Sequence, residues 1–265
     1  MKKSKYLVVA LLWLLSSVAW GQDTIRIMTI NINQGADTTL EKIGTFIKSQ
    51  NPDFVAVQEV DIYPNRAYAQ HQRNKNFMAE LGYYADMQGV FGKAMAHPAG
   101  GWDYGDAIFT KHSFTKSESV ALKHLAKTEK RQLLMIHTEI NGHSICFAST
   151  HLCHENAVNR VMQMRQIKNI MKKQKEKIQF VCGDLNSDLS EDLVFTILRD
   201  WKDALPPEEG TCSSDKAWHY KAHKYDYILY NFKKVKKDIE VIYSAIECDV
   251  NITDHCIGIT DIVLH

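Results

Sequence analysis

From Ile25 onward, short apolar runs rich in β-branched residues alternate with longer stretches whose apolar positions recur every three or four residues. The first kind predicts strands over 25–32, 54–57, 107–109, 133–140, 144–149, 178–182, 225–230, 239–243 and 256–264. The second kind predicts helices over 39–49, 75–81, 156–175 and 192–198. In the longest of these Val161, Met164, Ile167 and Met171 share one face, so the methionines read as core. Asn141-Gly142 between two apolar runs makes 133–149 a hairpin. Strands alternating with helices predict an α/β protein. No repeat, Pro/Ser-rich linker or low-complexity stretch divides the chain, and one domain is expected over 22–265. Segment 91–104, glycine-rich and aperiodic, reads as a long loop that could overhang a site and set its selectivity.

Composition adds little to this picture. With 265 residues, 45% hydrophobic and 24% charged, the chain can bury a core without a disulfide or metal staple, so a bound metal would serve chemistry. Charge matters more once residues 1–21 are set aside. Lys2, Lys3 and Lys5, the apolar run from Tyr6 to Leu15 and the small residues ending at Gly21 form a secretory signal pattern, too short in its apolar part for a membrane span. Its removal takes three of the 32 basic side chains and none of the 31 acidic ones, which turns a net charge of +1 into about −2. A sequence-independent nucleic-acid binder would usually be basic. The lysine clusters 172–177 and 233–237 read as solvated faces. Export makes disulfides possible, yet Cys146, Cys182 and Cys256 each sit in an apolar run and read as small buried hydrophobes. A zinc site at Cys153 and His154 lacks a second ligand pair at the usual spacing.

Candidate chemistry gathers at the polar ends of the apolar runs. Asn31 and Asn33 close the first, Glu59 follows the second, and His151 follows Cys146–Thr150. Asp184 and Asn186 follow Phe180–Gly183, Asp226 opens Asp226–Tyr230, and Asp254 and His255 precede the last run. One Asp in such a place is a turn former; six clusters in one domain are a site, because α/β folds assemble sites at strand ends. Carboxylate and amide oxygens are hard ligands suited to Mg²⁺, Mn²⁺ or Ca²⁺, and two histidines beside acidic or hydroxyl residues can move protons near neutral pH. Walker, G-x-G-x-x-G and G-x-S-x-G patterns are absent from the sequence. Metal-assisted hydrolysis of phosphate esters is the reaction class left.

In chain order, Asn31-Ile32-Asn33, Gln58-Glu59, Tyr104–Lys111, Glu129 with Arg131, Ser149–Leu152, Arg160 with Gln163, Gly183–Ser187, Lys224–Ile228 and Thr253-Asp254-His255 resemble the motifs of the endonuclease/exonuclease/phosphatase superfamily. The resemblance covers essentially all of 25–264, with Asp106 where relatives often have Asn and Thr253 where Ser is usual. It implies a four-layer α/β sandwich, two mixed sheets face to face with helices outside, and a divalent-metal site at one edge. It further implies Glu59 as metal ligand with Asn33 and Asp254 nearby. His255 would be a general base oriented by Asp226, and Asp184 would position or deprotonate the nucleophile. Asn31 and Asn186 would hold phosphate oxygens, and a protonated His151 would serve the phosphoryl oxygen or the leaving group. Arg131, Arg160 and Gln163 are assigned to the scaffold, Arg131 close to the phosphate. The expected protein is an exported, monomeric Mg²⁺-dependent phosphohydrolase of the periplasm or medium. Its substrate is a phosphate ester of a small molecule, a lipid headgroup or a nucleic acid, phosphodiesters foremost. Competing readings are a nuclease, or a binding module that kept the fold without the reaction.

Overall fold

The central strands are apolar on both faces, the pattern of sheets covered on each side. The computed structural model describes residues 23–188, 193–207, 211, 223–248 and 250–265. The expected signal segment and Cys212 lie outside the described residues. Strands β1 (Asp23–Asn31), β2 (Phe54–Ile62), β3 (Gln88–Ala96), β4 (Asp103–Thr110), β11 (Ile239–Glu247) and β12 (Ile257–Leu264) form one mixed sheet in the order β11-β12-β1-β2-β4-β3. A second contains β5 (Phe114–Ala121), β6 (Gln132–Ile140), β7 (His143–His151), β8 (Ile178–Asp184), β9 (Lys202–Asp203) and β10 (Asp226–Tyr230), in the order β5-β6-β7-β8-β10-β9. Helices α1 (Leu40–Gln50) and α2 (Phe77–Ala85) cover the first sheet, and α3 (Ala157–Met171) covers the second. Short helices α4 (Val194–Ile197) and α5 (Phe232–Val235) complete the described α-helices.

Three apolar layers hold the four structural ones. Ile25, Ile27, Phe54 and Ala56 meet Ile136, Phe147, Phe180 and Ile228 between the sheets. Leu40, Ile43, Ile47, Phe77 and Leu81 seal the outer face of the first sheet, and Met164, Ile167 and Met171 that of the second, so the methionines are core. Side-chain caps start the helices: Thr39, Asn76 and Asn156 accept from Lys42, Ala79 and Asn159 backbone N–H groups. Among the described residues no helix is long and apolar enough to cross a membrane.

Two sequence expectations are corrected. Segment 91–104 is not a long loop: most of it belongs to β3 and β4, leaving a turn at 97–102. That turn is pinned. His97 stacks on Trp102 at 4.3 Å, the indole N–H donates to Asp61 at 3.0 Å, and Arg66 forks onto the same buried carboxylate at 2.5 and 3.1 Å. Cys256 is not a free hydrophobe either. It is bonded to Cys248, closing the loop that carries Thr253, Asp254 and His255, whereas Cys146, Cys153 and Cys182 are free and buried.

Candidate active site

The site is the polar continuation of the inter-sheet core. Side chains two apart on a strand share a face, and the inward series run from apolar to polar toward one edge: Ile25, Ile27, Thr29, Asn31 on β1; Phe54, Ala56, Gln58 on β2; Ile145, Phe147, Ser149, His151 on β7; Ile178, Phe180, Cys182, Asp184 on β8. β1 and β2 are parallel, as are β7 and β8, so these series end together. β10 and β12 run antiparallel to β8 and β1, which brings their starting residues, Asp226 and the adjoining His255, to the same edge. His151, Asp184 and Asp226 are direct register partners across three strands. Buried amide contacts tie the two sheets just below: Gln58 donates to Ser149 Oγ at 3.2 Å.

Asp184 is the hub. Its Oδ2 accepts from Asn31 Nδ2 at 3.1 Å and lies 3.4 Å from His151 Nε2 and 3.9 Å from His255 Nε2, while its Oδ1 accepts from the Asn186 backbone N–H at 2.8 Å. His255 Nδ1 is 2.8 Å from Asp226 Oδ2, a fully buried carboxylate. Thr211 Oγ1 accepts from the backbone N–H groups of Tyr225 and Asp226, fixing the start of β10, and Thr253 Oγ1 donates to the Asn31 carbonyl, tying the His255 loop to β1. Glu59 stands where the β2–β4 register shifts and takes a left-handed φ of 65°, a conformation costing a non-glycine residue about 1–3 kcal/mol. That turn brings its Oε1 to Asn31 Nδ2 at 3.2 Å.

Burial sets the protonation states. It lifts Glu59 to about 7, against the charges of His255 and Arg131, and lifts Asp184 to about 6, helped by the neighbouring Asp226. Burial, reinforced by Arg131, pushes His151 well below the ordinary histidine range, so the free protein carries it neutral, contrary to the expected imidazolium. Asp106, buried opposite Gln132 and Arg131, is lifted by burial to about 7. The unfolded chain ionises this carboxyl near 3.8 and the folded one near 7, so its contribution to stability is lost as pH rises between them. Asp106→Asn is expected to exceed the natural chain in stability near pH 8, by on the order of 1 kcal/mol or more, and to match it near pH 3.5. Urea unfolding at both pH values checks this; a less stable variant near pH 8 means that attraction to Arg131 outweighs desolvation.

The structure brings together Asn31, Glu59, His151, Asp184, Asn186, Asp226 and His255 of the residues singled out in the sequence. Asn33 and Asp254 stand beside them: the Asn33 backbone N–H donates to Asn31 Oδ1 at 3.0 Å and its Nδ2 to Asp37, and Asp254 Oδ1 accepts from Thr253. The expected phosphate ligands are already engaged. Asn31 Nδ2 bridges Glu59 and Asp184, and Asn186 Nδ2 contacts His151 Nε2 at 2.9 Å and the Leu152 carbonyl at 3.0 Å. Buried donors without a partner include Arg131 Nε and, with Nε2 accepting from Asn186, His151 Nδ1, and buried acceptors without one include Glu59 Oε2 and Asp226 Oδ1. Arg131 is held by Glu129 at 2.8 Å and by Tyr104 OH at 3.4 Å. Arg160 and Gln163 brace the segment after His151, through the Cys153 carbonyl and N–H. Sequence reasoning missed Thr211 and Tyr104. Tyr104 was legible only as part of a motif, and Thr211 sits in a stretch without periodic signal.

Two face-to-face mixed sheets with carboxylates, amides and imidazoles converging at one edge define a four-layer α/β sandwich with a strand-end acid–base site. The model of the Endonuclease/Exonuclease/phosphatase family matches residues 28–255, and the chain belongs to that family. Its members are nucleases, phosphodiesterases and phosphatases, hydrolases of phosphoester bonds that typically use divalent metals. Among solved structures, an endonuclease/exonuclease/phosphatase protein from Beutenbergia cavernae superposes with a TM-score of 0.72 at 18% identity, covering 91% of this chain and 72% of that one. The mannosyl-6-phosphatase of Bacteroides thetaiotaomicron gives 0.69 at 11% identity over 91% and 100% of the chains. The catalytic domain of human Nocturnin, which carries a bound sulfate anion, gives 0.66 at 22% over 91% and 94%. At these identities the likeness is one of fold. No curated protein matches the chain significantly.

Proposed function

We propose that the chain is an exported, monomeric, divalent-metal-dependent phosphohydrolase acting on phosphodiesters of small molecules or lipid headgroups. The observation that carries this reading is the unsatisfied part of the site: two buried acceptors and two buried donors at one strand-end edge, beside an aspartate–histidine pair. Acceptors of that kind fit a hard cation, Glu59 Oε2 foremost, with Asn33 and Asp254 as its companions in our reading. A divalent cation bound there would supply positive charge against the phosphoryl oxygens.

The protein's own groups do the rest. With Nδ1–H donating to Asp226, His255 presents a basic Nε2 toward Asp184, and a water held between them yields its proton to that nitrogen. The water oxygen forms the new bond to phosphorus as the leaving oxygen takes the electrons of the bond that breaks. Arg131 Nε and His151 Nδ1–H hold the phosphoryl oxygens, the role first given to Asn31 and Asn186. With residues 1–21 removed, as the signal pattern in them predicts, the net charge falls from +1 to near −2, which supports a small or lipid-linked ester over duplex DNA.

Because Glu59 binds its proton up to about 7, the cation must displace that proton at lower pH. Affinity for Mg²⁺ is expected to weaken by about tenfold per unit below pH 7 and to level off above it. Calorimetric titration between pH 5.5 and 8 measures this, and a flat profile removes Glu59 from the ligand set. The function itself is tested by hydrolysis of bis-p-nitrophenyl phosphate, p-nitrophenyl phosphate, sphingomyelin vesicles, plasmid DNA and RNA, with Mg²⁺ and with EDTA. Diester cleavage abolished by EDTA is the expected result. Activity that ignores EDTA overturns the reading, and preference for nucleic acid with steep salt dependence replaces it by a nuclease.

A further inference from the structure

A second cluster of chemistry-bearing side chains lies away from this site, on the α3-covered face of the second sheet. His137 and Cys146 are register partners on β6 and β7 and project to one side. Cys146 is five residues before His151 on β7, roughly 17 Å along the strand from the catalytic edge. Glu176, on the segment between α3 and β8, reaches the same point. Its Oε1 is 3.0 Å from His137 Nδ1, and one ligand atom from each of His137, Cys146 and Glu176 lies within 4.8 Å of the others. The other ring nitrogen, Nε2, is 3.3 Å from Glu118. Glu176 Oε2 is buried and has no hydrogen-bond partner, while the Glu176 backbone is fixed by Gln179, which donates to its carbonyl at 2.7 Å.

We propose that His137, Cys146 and Glu176 form a binding site for a borderline-soft divalent cation, Zn²⁺ being the one that fits, separate from the hydrolytic centre. A thiolate, an imidazole and a carboxylate are zinc donors, whereas Mg²⁺ and Ca²⁺ take oxygen almost alone. Two donors stand on adjacent strands and the third is anchored by a backbone hydrogen bond, so the site is close to preformed. Glu118 completes it in the manner of outer partners at zinc sites. Accepting the Nε2 proton, it leaves the Nδ1 lone pair toward Glu176. Binding expels the Cys146 thiol proton to solvent as the S–Zn bond forms, and any second ring proton leaves in the same way. A recess lined by Lys175, Lys177 and Asp238 lies beside Glu176. The cation would cross-link β6, β7 and the β8 approach, acting on stability and not on turnover.

The test uses the full mature chain, stripped with EDTA and titrated with Co²⁺ as a spectroscopic stand-in. One equivalent is expected to give a thiolate-to-cobalt charge-transfer band that Zn²⁺ abolishes and that Glu59→Gln, at the hydrolytic site, retains. Cys146→Ala should lose the band with diester turnover in Mg²⁺ unchanged, and Glu176→Gln should weaken Co²⁺ binding by at least the roughly 10–100-fold cost of losing an outer partner. Zn²⁺ should raise the melting temperature of the natural chain and not that of Cys146→Ala. No band, or a band that survives Cys146→Ala, overturns the proposal and leaves His137 as a ring held between two carboxylates. If Cys146→Ala does not fold, Glu176→Gln decides, unchanged Co²⁺ affinity counting against the site.

Discussion

Replacing His255 by Ala is expected to lower diester turnover by about 10²–10⁴-fold, or roughly 3–5 kcal/mol of transition-state stabilisation, with Mg²⁺ affinity nearly unchanged. The size follows from how completely the imidazole is committed. Asp226 is fully buried and sits 2.8 Å from Nδ1, so the ring presents Nε2 to the cleft in one orientation. The surroundings hold that orientation from three sides: Thr211 fixes Asp226, Thr253 ties the loop to β1, and the Cys248–Cys256 bond closes the loop behind it. Asp226→Asn should show a smaller loss, because the ring stays but the preferred tautomer is no longer enforced. Exogenous imidazole should restore part of the His255→Ala activity. Steady-state kinetics on a generic diester, with a Mg²⁺ titration alongside, decides the matter, and a loss below tenfold means that Asp184 is the base.

Gly183→Ala is expected to cost roughly 3–5 kcal/mol of folding stability. Gly183 has φ of 134°, and a Cβ there would lie 2.0 Å from the Thr150 carbonyl oxygen, its register neighbour on β7. Backbone cannot yield as a side-chain tip can, so β7 and β8 must separate where His151 and Asp184 face each other. Against a typical total of 5–15 kcal/mol this is a large fraction. Urea unfolding of the purified variant measures it, and a loss under about 1 kcal/mol means that the strands part there easily. Loss of turnover in whatever fraction folds is the second readout.

Two of the elements overlooked in the sequence share a cause. β3 and β5 each stand at one edge of a sheet, with burial patterns far more open than those of β1 or β8. Lys116, Glu118 and Ser119 on β5 pair with β6 without burying an apolar face, so no hydrophobic period announces them. β3 carries Gly92, at which a Cβ would come within 2.6 Å of Gln132; a residue that reads as loop is the one that allows close approach.

The sequence by itself determined the α/β class, the order of the main elements and most of the residues that meet at the strand-end site. These are properties of strand parity and strand ends, and both are local. Tertiary structure alone decided which donors remain available, because Asn31 is satisfied by an aspartate 153 positions away while Arg131 Nε and His151 Nδ1 are left unpaired. It also decided the Cys248–Cys256 pairing, since only the antiparallel register of β11 and β12 brings those two cysteines side by side, and the meeting of His137, Cys146 and Glu176. Hydrogen-bond satisfaction, protonation and metal-ligand geometry depend on distances between segments far apart in the chain, and the spacing of residues along it does not contain them.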